Sequence, residues 1–216
     1  MRRSAFTLIE LIFAIIVVSI AMLALPTLFR IASESADEIV KDEATFQGFQ
    51  TAGVILTYPW DDNSIDPDTN ATLILDTTGD TELNRVPGTV YRRGNIRLGK
   101  RRRFFDNITN ASAALGLEEA TLADADDIDD FDRMREDIQS NLLKLFIDVN
   151  VTYVSDSANY ANTSLPFFFG ATTATPTNLK MITIGVKKRS DGTTVLKYAA
   201  FAANIGSTKI LTRHLQ

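Results

Sequence analysis

The 216-residue sequence has no cysteine. That excludes a disulfide framework, a thiol nucleophile and a thiolate metal site. It has one histidine, His214, two residues from the last, where chain ends fray. Imidazole acid–base chemistry therefore has almost nothing to work with. Basic charge is in deficit: 22 Lys and Arg against 27 Asp and Glu give a formal net charge of −5. The molecule as a whole is not built to coat nucleic acid. No internal repeat, phosphate-cradling glycine loop or Ser/His/Asp order is present, and carboxylates are too abundant for one catalytic pair to stand out. An enzyme is not expected. What remains is a chain of 45% hydrophobic residues, enough for one soluble domain of ordinary size plus an anchor.

The anchor is at the start, in "RRSAFTLIELIFAIIVVSIAMLALP". From Phe6 to Phe29 the only ionisable residue is Glu10. As a helix this stretch would run about 36 Å, against a hydrocarbon core of about 30 Å. Arg2 and Arg3 precede it, so the positive-inside rule keeps the N-terminus cytoplasmic and exports the rest. A secretory signal peptide would instead need a small-residue cleavage site after the apolar run. "LPTLFRIASESADE" supplies a poor one, and the small residue Ala5 stands before the run. A lone carboxylate in lipid costs several kcal/mol or becomes protonated, on the order of what insertion scales give. Glu10 therefore calls for a cationic partner, unless it merely snorkels to the headgroups.

These residues resemble the N-terminal signal of type IV prepilins and type II secretion pseudopilins. In that family a membrane aspartyl peptidase, the prepilin peptidase, cuts a short basic leader before a Phe and methylates the new amine. Carried over by position, the cut falls between Ala5 and Phe6, and Phe6 becomes N-methylated. The resemblance then gives Glu10 its partner: the ammonium of Phe6, in the same chain or a neighbouring subunit. The pairing sets register as helices stack into a filament, and it forms only once cleavage has created the amine. Two residues depart from the usual pattern. Ala5 replaces the common Gly, and Pro26 falls one position short of the family's proline. One position turns a helix by about 100°, so Pro26 would meet different filament neighbours. The implied partners are the peptidase, other pilins or pseudopilins in a helical filament, and an inner-membrane assembly platform. The implied location is the bacterial inner membrane, single-pass, with a periplasmic head, and then a filament at the cell surface. The function expected is that of a structural subunit, a minor pilin or pseudopilin, with no cofactor required.

Beyond Pro26 an amphipathic stripe continues through Leu28, Ile31, Ser35, Ile39, Asp42, Phe46, Phe49, Gly53 and Leu56. It predicts one long helix from Phe6 to about Thr57, loosened near Pro26, its second half packed on a head by this stripe. "YPWDDNSIDPDTN" then stops it. The expected organisation is a leader at 1–5, a helix at 6–57 with 6–29 in the membrane or filament core, and a soluble head at 58–216. Strand signals fall at 71–76, at 142–156 with period-two apolar residues, at 179–188 and at 193–205. Asp191-Gly192 marks a hairpin between the last two. The fold class is α+β: a long helix on an antiparallel sheet of about four strands, the ladle of a pilin.

Three further runs invite a function. Asp124, Asp126 and Asp129 in "LADADDIDDFD" are spaced for a Ca²⁺ loop, but an EF-hand from Asp124 would need Gly and Glu where Asp129 and Arg135 stand. The competing reading is an acidic helix start before "FDRMREDIQSNLLKLF". The basic run holding Arg101, Arg102 and Arg103, followed by two Phe, suggests a grip on nucleic acid. That gives an alternative function, a DNA-uptake or adhesive subunit; charge complementarity to the acidic run is the plainer account. "SLPFFFGATT" reads as a core plug or a subunit contact, and Trp60 as a packing anchor.

Overall fold

In the computed structural model the described residues are 7–68, 70–88, 109–138, 144–156 and 169–206. The chain divides into two units, Met1–Glu43 and Ala44–Gln216. One helix, α1 (Leu8–Ile55), contributes to both.

In the first unit every described residue through Ile39 is exposed, including Leu8, Ile9, Phe13, Leu23 and Phe29. A helix so apolar and so uncovered is at home in lipid or against other helices rather than in water. α1 is long and apolar enough to cross a membrane. Pro26 lies inside it and supplies no N–H to the ladder.

The second unit is an antiparallel sheet of five strands. They are β1 (Arg135–Asp137), β2 (Leu145–Asp156), β3 (Phe169–Thr173), β4 (Leu179–Lys188) and β5 (Thr194–Ala203). The order is β1-β2-β4-β5, and β3 also pairs with β2. β1 meets β2 at Phe146–Asp148 and β3 meets it at Tyr153–Asp156, so both short strands lie along one edge of β2. The β4–β5 hairpin closes where the sequence predicts, with Gly192 at φ 71°, a conformation glycine adopts without steric cost.

Strand alternation builds the core. Ile147, Val149, Val151 and Tyr153 of β2 stand opposite Val186, Ile184, Ile182 and Lys180 of β4. All eight are buried. Lys180 therefore sits in phase with three apolar residues, on the core face.

The last turns of α1 cover this unit through Ala44, Gly48, Ala52 and Ile55, the buried positions of the helix. This corrects the sequence expectation: Phe46, Phe49 and Leu56 of the predicted stripe are 64%, 65% and 45% exposed. Tyr198 of β5 explains the choice. Its hydroxyl donates to the backbone carbonyls of Thr45 at 3.1 Å and Ala44 at 3.4 Å, so the ring lies directly against Gly48. A Cβ at Gly48 would overlap the Tyr198 phenol. Gly48→Ala, worth up to about 1 kcal/mol in an open helix, is thus expected to destabilise by roughly 1–3 kcal/mol through overpacking. Thermal unfolding measures it, and adding Tyr198→Ala should recover most of the overpacking penalty.

Two other expectations change. The segment at 71–76 forms isolated bridges, Ile65 with Thr72 and Asp76 with Asn110, instead of a sheet strand. The Asn204 side chain takes the place of a partner strand, accepting from Leu75 N at 2.9 Å and donating to Leu75 O at 2.8 Å. The acidic run does not start a helix: it forms short 3₁₀ turns at Leu122–Asp124 and Asp129–Phe131 and leads into β1. Phe169 opens β3, while Phe167 and Phe168 lie outside the described residues.

Candidate functional site

Glu10 stands in the first turn of α1, exposed among exposed apolar residues. The turn is closed by Glu10 N and Leu11 N donating to Thr7 O at 3.1 and 3.2 Å. A carboxylate here is favoured by the helix dipole. Among the described residues it has no ion-pair partner. Ala5 and Phe6, the expected cleavage pair, lie outside them, as do Arg101, Arg102 and Arg103 of the basic run. Pro26 is exposed on the same unit.

The head contains a second polar constellation that no motif announced. Lys180 reaches the core with no exposed surface. Its Nζ donates to Trp60 O at 2.6 Å and to Asp129 Oδ1. It lies 3.6 Å from Asp61 Oδ2 and 3.9 Å from Asp127 Oδ2. The Trp60 ring centroid is 4.6 Å away and that of Tyr153 5.7 Å, so aromatic faces add to the cation's surroundings. Trp60 is buried with Leu75, Ala111 and Tyr153, the packing anchor expected of it.

Two of the three carboxylates, Asp61 and Asp127, are held by backbone donors, while Asp129 is held by Lys180 itself. Asp61 leaves the helix exit and caps the turn at Asp62–Ser64, accepting from Asn63 N at 3.1 Å and from Ser112 N at 2.9 Å. Asp127 accepts from Asp129 N at 2.7 Å and Asp62 N at 2.9 Å. Ile128 N donates to Pro59 O at 3.1 Å, and Tyr58 meets Phe131 edge-on at 4.9 Å. The acidic loop is thereby clamped to the helix exit.

Burial dominates the protonation of Asp127 and Asp129. It pushes Asp127 up to about 8, with Lys180 opposing and Asp129 adding to the rise. Burial also raises Asp129, against Lys180. The Tyr153 hydroxyl, donating to Ser112 O at 2.9 Å, is held above its ordinary value by burial and then by Asp61. One ammonium faces three buried carboxylates, which leaves excess negative charge, and Asp127 retains its proton at neutral pH.

A second group of three, Glu118, Glu119 and Asp130, has ligand-type oxygens within 4.8 Å of one another. Burial, followed by repulsion from Asp127, raises Glu118 to about 7. Of the loop residues expected around Ca²⁺, Asp124 and Asp126 are exposed and Asp129 is buried against Lys180. The structure does not gather those three. The sequence singled out the acidic run that holds Asp127 and Asp129 but missed their partners Asp61 and Lys180, where only the phase of Lys180 with Ile182, Ile184 and Val186 hinted at a buried cation.

A helix apolar enough to cross a membrane, whose final turns pack on an antiparallel sheet, defines a pilin-like α+β protein. Residues 1–26 match the prokaryotic N-terminal methylation motif, the signature of type IV prepilins and pseudopilins. The motif implies processing by prepilin peptidase, N-methylation, and assembly with other pilins as a structural subunit rather than an enzyme. The apolar helix fits membrane anchoring. No curated protein and no solved structure is significantly similar to the chain.

Proposed function

We propose that the chain is a minor pilin or pseudopilin of a type IV pilus-like or type II secretion filament. It is cut between Ala5 and Phe6 and methylated on Phe6. It waits in the inner membrane with its N-terminus cytoplasmic and its head periplasmic, then joins the filament through its helix. The observation that carries this reading is the methylation motif at residues 1–26, with Glu10 as the single charge of the apolar stretch from Thr7 to Phe29. The new amine of Phe6 is the cation that Glu10 lacks, in the same chain or the next. In low dielectric such a pair persists, because breaking it strands a buried charge at a cost of about 3–5 kcal/mol.

Mass spectrometry of the protein from cells with the peptidase tests the processing. The expected N-terminus is Phe6 bearing one methyl group; an intact Met1, or a cut after Phe29, would overturn the assignment. Glu10→Gln tests the assembly role. Processing should proceed, since the cut lies outside the pair, while incorporation into filaments should fall by about tenfold or more for a loss of 1.4 kcal/mol or greater. Wild-type incorporation of the Gln variant would argue that Glu10 only snorkels.

A further inference from the structure

We infer that Lys180 and Asp129 condense into an intramolecular isopeptide bond, Nζ to Cγ, which crosslinks β4 to the acidic loop in a chain that has no cysteine for the purpose. The bond lies within the head and does not depend on how the N-terminus is processed.

The reacting pair is sealed. Lys180, Asp61 and Asp129 have no exposed surface, and Asp127 has 2%. Lys180 Nζ donates to Asp129 Oδ1, so the carboxyl carbon is one bond beyond the atom it touches. The Trp60 and Tyr153 rings flank the amine. Held contact of this kind stands in for a reactant concentration of about 10⁵–10⁸ M, and burial keeps bulk water from reversing the condensation.

Asp129 is also the carboxylate left free to react. Asp61 and Asp127 are each tied by at least two backbone N–H groups. Asp129 is held through Oδ1 by Lys180, and its Oδ2 is buried without a donor among the described residues. Amide formation disposes of that orphaned oxygen and replaces two buried charges with one neutral group, which costs less to keep out of water.

The neighbours supply the proton transfers. Asp61 Oδ2, 3.6 Å from Nζ, takes one proton from the ammonium and frees its lone pair. Asp127 shares a side-chain hydrogen bond with Asp129 and holds a proton at neutral pH, which it gives to the departing oxygen. The Nζ–Cγ bond forms and the Cγ–Oδ2 bond breaks. Two of the three Nζ protons leave with that oxygen as water, and the third stays on the amide. Asp61 and Asp127 return to their starting states, so the step balances with no further reactant. The closed loop spans the 51 positions from Asp129 to Lys180 and contains β1, β2 and β3. It therefore restricts the unfolded chain as a disulfide would.

The test is mass spectrometry of the full chain from detergent, after denaturation. The protein should be lighter than its sequence by one water. Digestion should release a branched peptide that joins the segment of Asp129 to the segment of Lys180. Asp191-Gly192 can also lose water, by closing to a cyclic imide, so the deficit has to be located. A deficit mapped to Asp191, or a chain at its full sequence mass, would overturn the inference. Lys180→Arg should keep the full mass whether or not it folds; the same deficit in that variant would also overturn it. Asp127→Asn keeps both reacting groups and, with its far-UV spectrum checked in parallel, should form the bond about 10²–10⁴-fold more slowly, the worth of a positioned general acid. Samples taken at intervals after synthesis read that rate, and conversion as fast as the parent's would refute the step written for Asp127.

Discussion

Lys180→Met is expected to destabilise the head by about 3–5 kcal/mol, the cost of removing one partner from a buried ionic network. Methionine keeps most of the stem's length and apolar packing, so little cavity term contaminates the result. What it removes is the donor to Trp60 O and Asp129 Oδ1 and the charge facing Asp61 and Asp127. In a domain of this size a loss of that order lowers the melting temperature by roughly 6–20 °C. Asp129 already has one buried oxygen, Oδ2, without a donor; the variant leaves both oxygens so. Adding Asp129→Asn should recover part of the loss, because an uncharged amide no longer needs the ammonium. The coupling of the pair in a double-mutant cycle is the readout. A single-variant cost below about 1 kcal/mol, the range of exposed pairs, would mean that water reaches the network.

The same residue shows what the sequence could and could not say. In "LKMITIGVKK" the alternation places Lys180 on the face of Ile182, Ile184 and Val186, so its burial was legible in principle. Its partners were not. Asp61 follows the helix, Asp127 and Asp129 come from an acidic run, and nothing local says that these segments meet β4. Side chain–backbone bonding also hid the loop. An acidic run before apolar residues looks like a helix start, but Asp127 and Asp130 bind their own neighbours' N–H groups, which competes with helix. The helix stripe misled for a different reason. Periodicity finds large apolar residues, whereas the face that approaches Tyr198 closely needs Ala44 and Gly48; Phe46 is left exposed and Phe49, also mostly exposed, only flanks the Tyr198 ring, stacking on it at 5.1 Å. The short edge strands β1 and β3 carried no signal of their own. Glu10, by contrast, was legible at once, since one charge in an apolar run can be seen without any fold.

Stability of the head should fall as pH rises from about 4 to about 8, the reverse of ordinary acid denaturation. Asp127 has an ordinary value of 3.8 and is pushed to about 8 by burial. Across that interval the folded state holds a proton that the unfolded state has released. With more protons bound in the native state, the slope of unfolding free energy against pH is negative, about 1.4 kcal/mol per pH unit for each such proton. Stability is therefore fullest below the unfolded value and is lost as pH climbs through the folded one. Asp129 is raised for the same reason, and Glu118, raised to about 7, acts in the same direction over a narrower range and more weakly because it is exposed. Denaturant midpoints of the chain in detergent with chelator, at about pH 5 and about pH 8, measure this; a midpoint that rises with pH would refute it. Asp127→Asn separates titration from structure. Its amide nitrogen cannot accept from Asp62 N, which bonds Asp127 Oδ2 at 2.9 Å, so about 1 kcal/mol is lost at every pH. The pH slope should nonetheless flatten, and a slope, unlike an offset, responds only to the proton.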